Sequence, residues 1–109
     1  AVAARRDPLI GNESWGPPVN VAETEEAFWI LAALPGVDAE DVAIEVQDGV
    51  LIIKGRRKLP KELARGRPHI IEIPCGPFER RLQLPAGRYE LGEKSLSGGV
   101  LSIELRKIR

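Results

Sequence analysis

The fold is decided by the stretch VAIEVQDGVLII, which spans residues 42–53. Every second residue of its first half is a branched aliphatic, namely Val42, Ile44 and Val46. This period of two is typical of a strand with one buried face. Asp48-Gly49 then supplies the pair that a type I′ turn prefers. Because an aliphatic run follows the turn directly, the stretch predicts an antiparallel β-hairpin.

Further short strands are predicted on both sides of this hairpin. Upstream, Val19–Glu23 roughly alternates apolar and polar residues, and the apolar run Ala27–Leu34 ends at Pro35-Gly36. The downstream strand candidates are His69–Ile73, Phe78–Leu84, Lys94–Ser97 and Val100–Leu105. Turn signals separate these segments and almost no helix is indicated. The sequence therefore predicts an all-β fold, an antiparallel immunoglobulin-like β-sandwich of seven to nine strands.

A basic segment interrupts the strand pattern at residues 56–67, which hold six basic groups and one acidic group. We expect a solvated loop there, with one helical turn at Lys61–Arg65. The loop is long for a simple hairpin, and loops of this length in compact domains are usually functional or disordered.

The charge of the chain is divided between its two halves. Residues 1–53 carry 2 basic and 10 acidic groups, whereas residues 54–109 carry 14 basic and 6 acidic groups. Opposite halves can attract one another between subunits, while a net charge of zero gives little field to steer the protein to nucleic acid. We expect self-association, no nucleic-acid partner and, since no apolar run approaches the ~20 residues of a membrane span, no membrane partner.

The sequence offers little for catalysis. It contains one histidine and one cysteine and lacks zinc-ligand spacing, a Gly-rich phosphate loop and a nucleophile elbow. A small hydrolase would have to use His69 and Cys75, six residues apart with Pro74 between them. We therefore expect no enzyme activity, no cofactor and no metal, and the lone cysteine fits a reducing, cytoplasmic location.

Five motifs resemble one known family, the small heat-shock proteins, across residues 18–107. In order they are PVNVAET at 18–24, LPGV at 34–37 with an acidic turn after it, DGVLIIKG at 48–55, GPFERRLQLP at 76–85 and GVL at 99–101. Each is weak alone, but the order and separations are similar to those of the family's α-crystallin domain. Ala33 departs from the pattern, since the family often has an acidic residue there.

The resemblance implies an ATP-independent molecular chaperone, or holdase, that binds unfolding client proteins and limits their aggregation. It also implies a homodimer or larger oligomer in which part of the long loop pairs with the neighbouring subunit. The dimer residues would then be Arg67, His69, Ile70, Ile71 and Arg80. A groove for clients or tails would be lined by Val42, Ile44, Val46, Leu91 and Leu96, although inward core positions explain the same residues.

The same family resemblance sets the expected domain boundaries. We expect a partly ordered N-terminal arm at residues 1–17, an α-crystallin domain at 18–107, and the start of a truncated C-terminal tail at 108–109. The alternative function is a β-sandwich interaction module of the co-chaperone type, which binds one folded partner.

Overall fold

The computed structural model describes residues 15–109, so the expectation for the first 14 residues of the arm lies outside the described part. Two β-sheets make up most of it. The strands are β1 (Val19–Glu23), β2 (Ala27–Ala33), β3 (Val42–Gln47), β4 (Val50–Arg57), β5 (Gly76–Gln83), β6 (Arg88–Ser97) and β7 (Val100–Ile108). A short 3₁₀ turn spans Ala39–Asp41, and the helix α1 spans Lys61–Arg65.

The strands form a four-stranded sheet in the order β1-β2-β7-β6 and a three-stranded sheet in the order β3-β4-β5. All pairings within the two sheets are antiparallel, which confirms the predicted β-sandwich. The hairpin of β3 and β4 turns at Asp48 (φ 52°) and Gly49 (φ 77°). Two positive φ angles in a row are the signature of the type I′ turn that the Asp-Gly pair predicts.

The core lies between the two sheets, and each contributes its inward residues. The most deeply buried aliphatic side chains are Ile30, Leu34, Leu51, Ile53, Ile103 and Leu105, each at most 1% exposed. Burying each stabilises the fold by roughly 1.5–3 kcal/mol relative to leaving it in water. The edge strands β3 and β6 are therefore paired with β4 and β7, whose inward side chains are buried in this core.

The segment Trp15–Pro17 packs against the sandwich. The Trp15 indole lies 5.0 Å from the Phe78 ring between centroids, and only 8% of the residue is exposed. Its backbone bonds to β5: the Trp15 N–H donates to the Pro77 carbonyl at 3.3 Å, and the Glu79 N–H donates to the Trp15 carbonyl at 2.9 Å. The segment thus covers the beginning of β5, which is an edge strand.

Arg57 corrects the prediction that residues 56–67 form a solvated loop. The strand β4 continues through Arg57, which is 7% exposed. Its Nε donates to the Pro35 carbonyl at 3.0 Å, its Nη1 donates to the Pro74 carbonyl at 2.6 Å, and its guanidinium lies 4.4 Å from the centre of the Trp15 ring. Burial lowers the pKa of Arg57, and the electrostatic effect of Cys75 partly offsets this. Arginine nevertheless stays charged in proteins.

Two strand predictions differ from the structure. His69–Ile73 forms no strand and belongs to the loop between α1 and β5, and none of the strands in residues 15–109 pairs with it. Conversely, the strand predicted at Lys94–Ser97 begins six residues earlier, at Arg88.

Candidate functional site

The edge strands β3 and β6 belong to different sheets and contact each other across the sandwich. Half-buried aliphatic side chains lie along these two strands and pack against the core: Val42, Ile44, Val46, Leu91 and Leu96. We call the seam between the two strand edges the β3/β6 cleft. The five predicted groove residues are therefore brought together, and because they are half-buried they belong to the rim of the core as well as to the cleft.

The outward residues of β3 are mainly polar. Along β3, Ala43, Glu45 and Gln47 alternate with the inward residues, and the Glu45 carboxylate lies 3.2 Å from Nζ of Lys54 on β4. An edge strand leaves every second pair of backbone N–H and C=O groups without a partner in its own sheet. The cleft thus combines an apolar floor with backbone groups that can pair with an extended peptide.

The predicted dimer residues fall in two places. Arg67, His69 and Ile70 are exposed on the loop between α1 and β5, where Ile71 is half-buried. Ile70 and Ile73 are 75% and 69% exposed, which is unusual for isoleucine. A cavity of about 270 Å³ lies in the same loop, lined mainly by Leu59, Leu63, Pro68, Ile71, Ile73 and Cys75.

Arg80 lies on β5, on the face that also carries Phe78. Its Nη1 is 3.5 Å from the Pro17 carbonyl, at the limit of a hydrogen bond. Within the described residues, no hydrogen bond or ion pair joins Arg80 to the loop. In the single chain Arg80 therefore contacts the N-terminal segment, and its role in a dimer stays a prediction.

His69 and Cys75 do not form a catalytic pair in the structure. His69 is exposed, and the Cys75 thiol lies 3.9 Å from the Ile73 carbonyl. No hydrogen bond connects the two side chains in the part of the chain that is described. A nucleophile needs its base within hydrogen-bond reach, so this geometry does not favour the hydrolase interpretation.

Within residues 15–109, no group of three or more histidine, cysteine or acidic side chains is placed to hold a metal ion. None of the helices in that range has the length and apolar character needed to cross a bilayer.

The sequence profile of the Hsp20/alpha crystallin family matches residues 20–109. The chain belongs to this family. Its relatives include the 16.9 kDa class I heat shock protein 1 of Triticum aestivum, which is 38% identical over 91 residues, covering 82% of this chain and 60% of that protein. The 17.6 kDa class I heat shock protein 3 of Arabidopsis thaliana is 38% identical over 92 residues, covering 83% and 59%. The chain thus spans about 60% of the length of these small heat shock proteins.

Solved structures agree with this assignment. A small heat-shock protein from Xylella fastidiosa has a TM-score of 0.74 at 34% identity, over 89% of this chain and 90% of that one. The hspA of Xanthomonas axonopodis has a TM-score of 0.75 at 31% identity, over 87% and 96%. The sandwich is therefore an α-crystallin domain.

Sequence reasoning missed three features around this α-crystallin domain. Lys94 pairs with the buried Ile103 and so lies on the cleft side of β6. The Glu104 carboxylate accepts a hydrogen bond from the Glu93 N–H where the pairing of β6 with β7 is irregular. The Arg57 side chain is buried against the Trp15 ring. A glycine at position 92, inside a strand, was the available signal for the irregularity, since glycine there often marks a bulge. Arg57 carried no local signal, because its hydrogen-bond partners are distant in sequence.

Proposed function

We propose that this protein is an ATP-independent chaperone that holds unfolding proteins in solution by binding their exposed apolar segments. The observation that carries the proposal is the β3/β6 cleft, an apolar floor between two open strand edges. Such a site gains affinity from backbone pairing and selectivity from alternate side chains. Membership of the small heat shock protein family supports the same activity.

The expected strength of binding suits reversible capture. Two branched aliphatic side chains buried in the cleft contribute roughly 3–6 kcal/mol before the costs of association are subtracted. Each site alone is therefore weak, and several sites on one oligomer would hold a client by avidity. Weak individual contacts allow a client to leave without an energy source.

We also propose that the functional unit is a dimer formed by exchange of the loop between α1 and β5. Exposed Ile70 and Ile73 support this, since burial against a partner would remove their apolar surface from water. Of the four sheet edges, β3 and β6 border the cleft and β5 is partly covered by Trp15. Among residues 15–109 no strand pairs with the outer edge of β1, and this edge is accordingly the site we assign to the partner's segment near Arg67–Ile71.

The exposed loop favours self-association over the co-chaperone alternative, in which one folded partner is bound. The location we propose is the cytoplasm, which the single free thiol of Cys75 supports, because reducing compartments keep lone cysteines unpaired.

Aggregation of a heat-labile client protein, followed by light scattering, tests the holdase. We expect stoichiometric protein to suppress most of the scattering without ATP. Val46→Asp, which places a charge on the cleft floor, should reduce this protection several-fold, because a charge facing apolar surface opposes burial of the client. Gln47→Asp is the matched control on the outward side of β3 and should protect like the parent. Unchanged client aggregation with the parent chain would contradict the proposal.

A further inference from the structure

The outer face of the four-stranded sheet carries a row of apolar residues. On β2 the outward residues alternate with buried ones, and Trp29 and Leu31 are 37% and 41% exposed. On β7, Val100 is 39% exposed and pairs with the outward Ala33 of β2. Because antiparallel partners share a face, these four residues lie side by side on the surface that points away from the core. We call them the outer strip.

Small uncharged residues surround the outer strip. Leu31 pairs with Asn20 of β1 on one side and with Ser102 of β7 on the other. Ser102 in turn pairs with Ser95 of β6. In a chain of which 29% is charged, none of these positions carries a charge. Depletion of charge around an exposed aromatic side chain is typical of the centre of a protein interface.

The charged residues of this face lie at one end of the outer strip. Glu104 of β7 pairs with Trp29, and Arg106 follows it two residues further along the strand. The Arg106 guanidinium lies 3.4 Å from the Glu90 carboxylate and 3.9 Å from that of Glu104. Two carboxylates against one guanidinium make this end acidic. The other end meets the uncharged Gly98-Gly99 turn, so the face has a polarity along its strands.

We propose that the outer strip packs against the outer strip of a second copy of this chain. The two sheets lie face to face and are related by a two-fold axis that crosses the strands at Leu31. Sheets packed in this way are ~10 Å apart and keep their strands nearly aligned. The contact is separate from the β3/β6 cleft and from the loop between α1 and β5, and it goes beyond the proposed function.

The sizes of the side chains favour this arrangement. The axis places Trp29 of each copy over Ala33 of the other, so that the largest side chain of the strip meets the smallest. Leu31 then meets its own equivalent. Each contact occurs twice, as a two-fold interface requires, and the space between the sheets is filled evenly.

The charges favour the same axis. Because the axis reverses the direction of the strands, the acidic end at Glu90 and Glu104 lies over the uncharged Gly98-Gly99 turn of the other copy. An axis along the strands would instead bring the two acidic ends together and place Trp29 against Glu104, its neighbour on β7. A net charge of zero also leaves little long-range repulsion between copies.

The area of the face sets the strength of the contact. Three outward rows about 7 Å apart on strands about 5 Å apart give roughly 400 Å² per copy, whereas a stable interface buries about 800 Å² per partner. The contact is therefore too small to hold two free chains together. It suits subunits that a second interface already keeps close, where their effective concentration is high.

Chemical crosslinking of the full chain tests this contact. Packed sheets are too far apart for a disulfide, so Leu31→Cys, Ala33→Cys or Ala43→Cys would be joined by a short bis-maleimide in a Cys75→Ser background. We expect covalent dimers mainly from position 31, which lies on the axis. Position 33 should give several-fold fewer, because it faces Trp29 of the other copy. Ala43 is outward on β3 in the other sheet and measures random collision.

A charge on the face provides a second measurement. Ala33→Glu places a carboxylate under Trp29 of the other copy and should lower the yield of dimers from Leu31→Cys by about tenfold, since a buried unpaired charge is costly. The fold should tolerate the change, because Ala33 is exposed and the family often has an acidic residue there. Ala43→Glu makes the identical change on the other sheet and should leave the yield unchanged.

Three outcomes would overturn the inference. Equal yields from positions 31 and 43 would show that no such contact forms, and equal yields from positions 31 and 33 would exclude the axis across the strands. The third concerns Trp29, whose fluorescence iodide should reach more readily than that of the buried Trp15. Protection of Trp29 from iodide only after a denatured, tryptophan-free client is added would assign the outer strip to clients instead of a second copy.

Discussion

Arg57→Ala is expected to lower the free energy of unfolding by about 2–4 kcal/mol, a large fraction of the stability of a domain of this size. The change removes two hydrogen bonds from a buried guanidinium, to the Pro35 and Pro74 carbonyls. It also removes the cation that lies over the Trp15 ring. Because these three segments are far apart in sequence, Arg57 connects the N-terminal segment, the Leu-Pro-Gly corner and the end of the long loop.

Urea unfolding followed by tryptophan fluorescence measures this effect, and thermal unfolding should show a melting temperature lower by at least about 8 °C. Arg56→Ala is the control, because it removes an identical charge from the exposed neighbour and should change stability by no more than about 0.5 kcal/mol. Arg57→Lys should fall between the two, since an ammonium cannot reach both carbonyls with the planar fork of a guanidinium. Equal stabilities of the two alanine variants would refute the structural role of Arg57.

Replacing residues 59–72 with a short Gly-Ser linker is expected to convert the dimer into a monomer. The replacement removes Ile70 and Ile71, the apolar part of the proposed exchange segment, and leaves the sandwich complete. Refolding of the shortened chain is favoured because Arg57 and Gly76 are directly paired at the ends of β4 and β5. The sheet therefore needs only a tight connection at this point.

Sedimentation velocity measures the mass of the shortened chain, which we expect to be half that of the parent dimer. Glu62→Gln on α1 is a control that alters the same loop without touching its isoleucines, and it should remain dimeric. A shortened chain with an unchanged subunit number would rule out exchange of this loop.

Local patterns predicted the parts of the fold that are stabilised locally. The bounds of β3 and the turn at Asp48-Gly49 follow from side-chain period and from the conformations that the turn residues allow. The helix α1 was predicted at its observed residues for the same reason. The five aliphatic cleft residues were predicted from family resemblance. The structure packs all five, half-buried, against one core, and their role in binding stays a prediction.

The remaining features depend on contacts that no local pattern contains. The first half of β6 was missed because the bulge shifts the alternation of inward and outward residues. Before the bulge the odd-numbered Tyr89 and Leu91 point inward, and after it the even-numbered Lys94 and Leu96 do. Arg57 looked solvated because its partners lie 22 and 17 residues away. The segment predicted as a strand at His69–Ile73 pairs with none of the strands in the described part of the chain, and a strand without a partner cannot satisfy its backbone groups.

The central claim is that the β3/β6 cleft receives apolar segments of unfolding proteins, and site-specific photo-crosslinking to a heat-denatured client tests it most directly. A benzophenone would be attached to Leu96→Cys, which faces the cleft, or to Ser95→Cys, which faces outward, each in a Cys75→Ser background. The account predicts client adducts from position 96 and few from position 95. Equal adduct yields from the two neighbouring positions would contradict it.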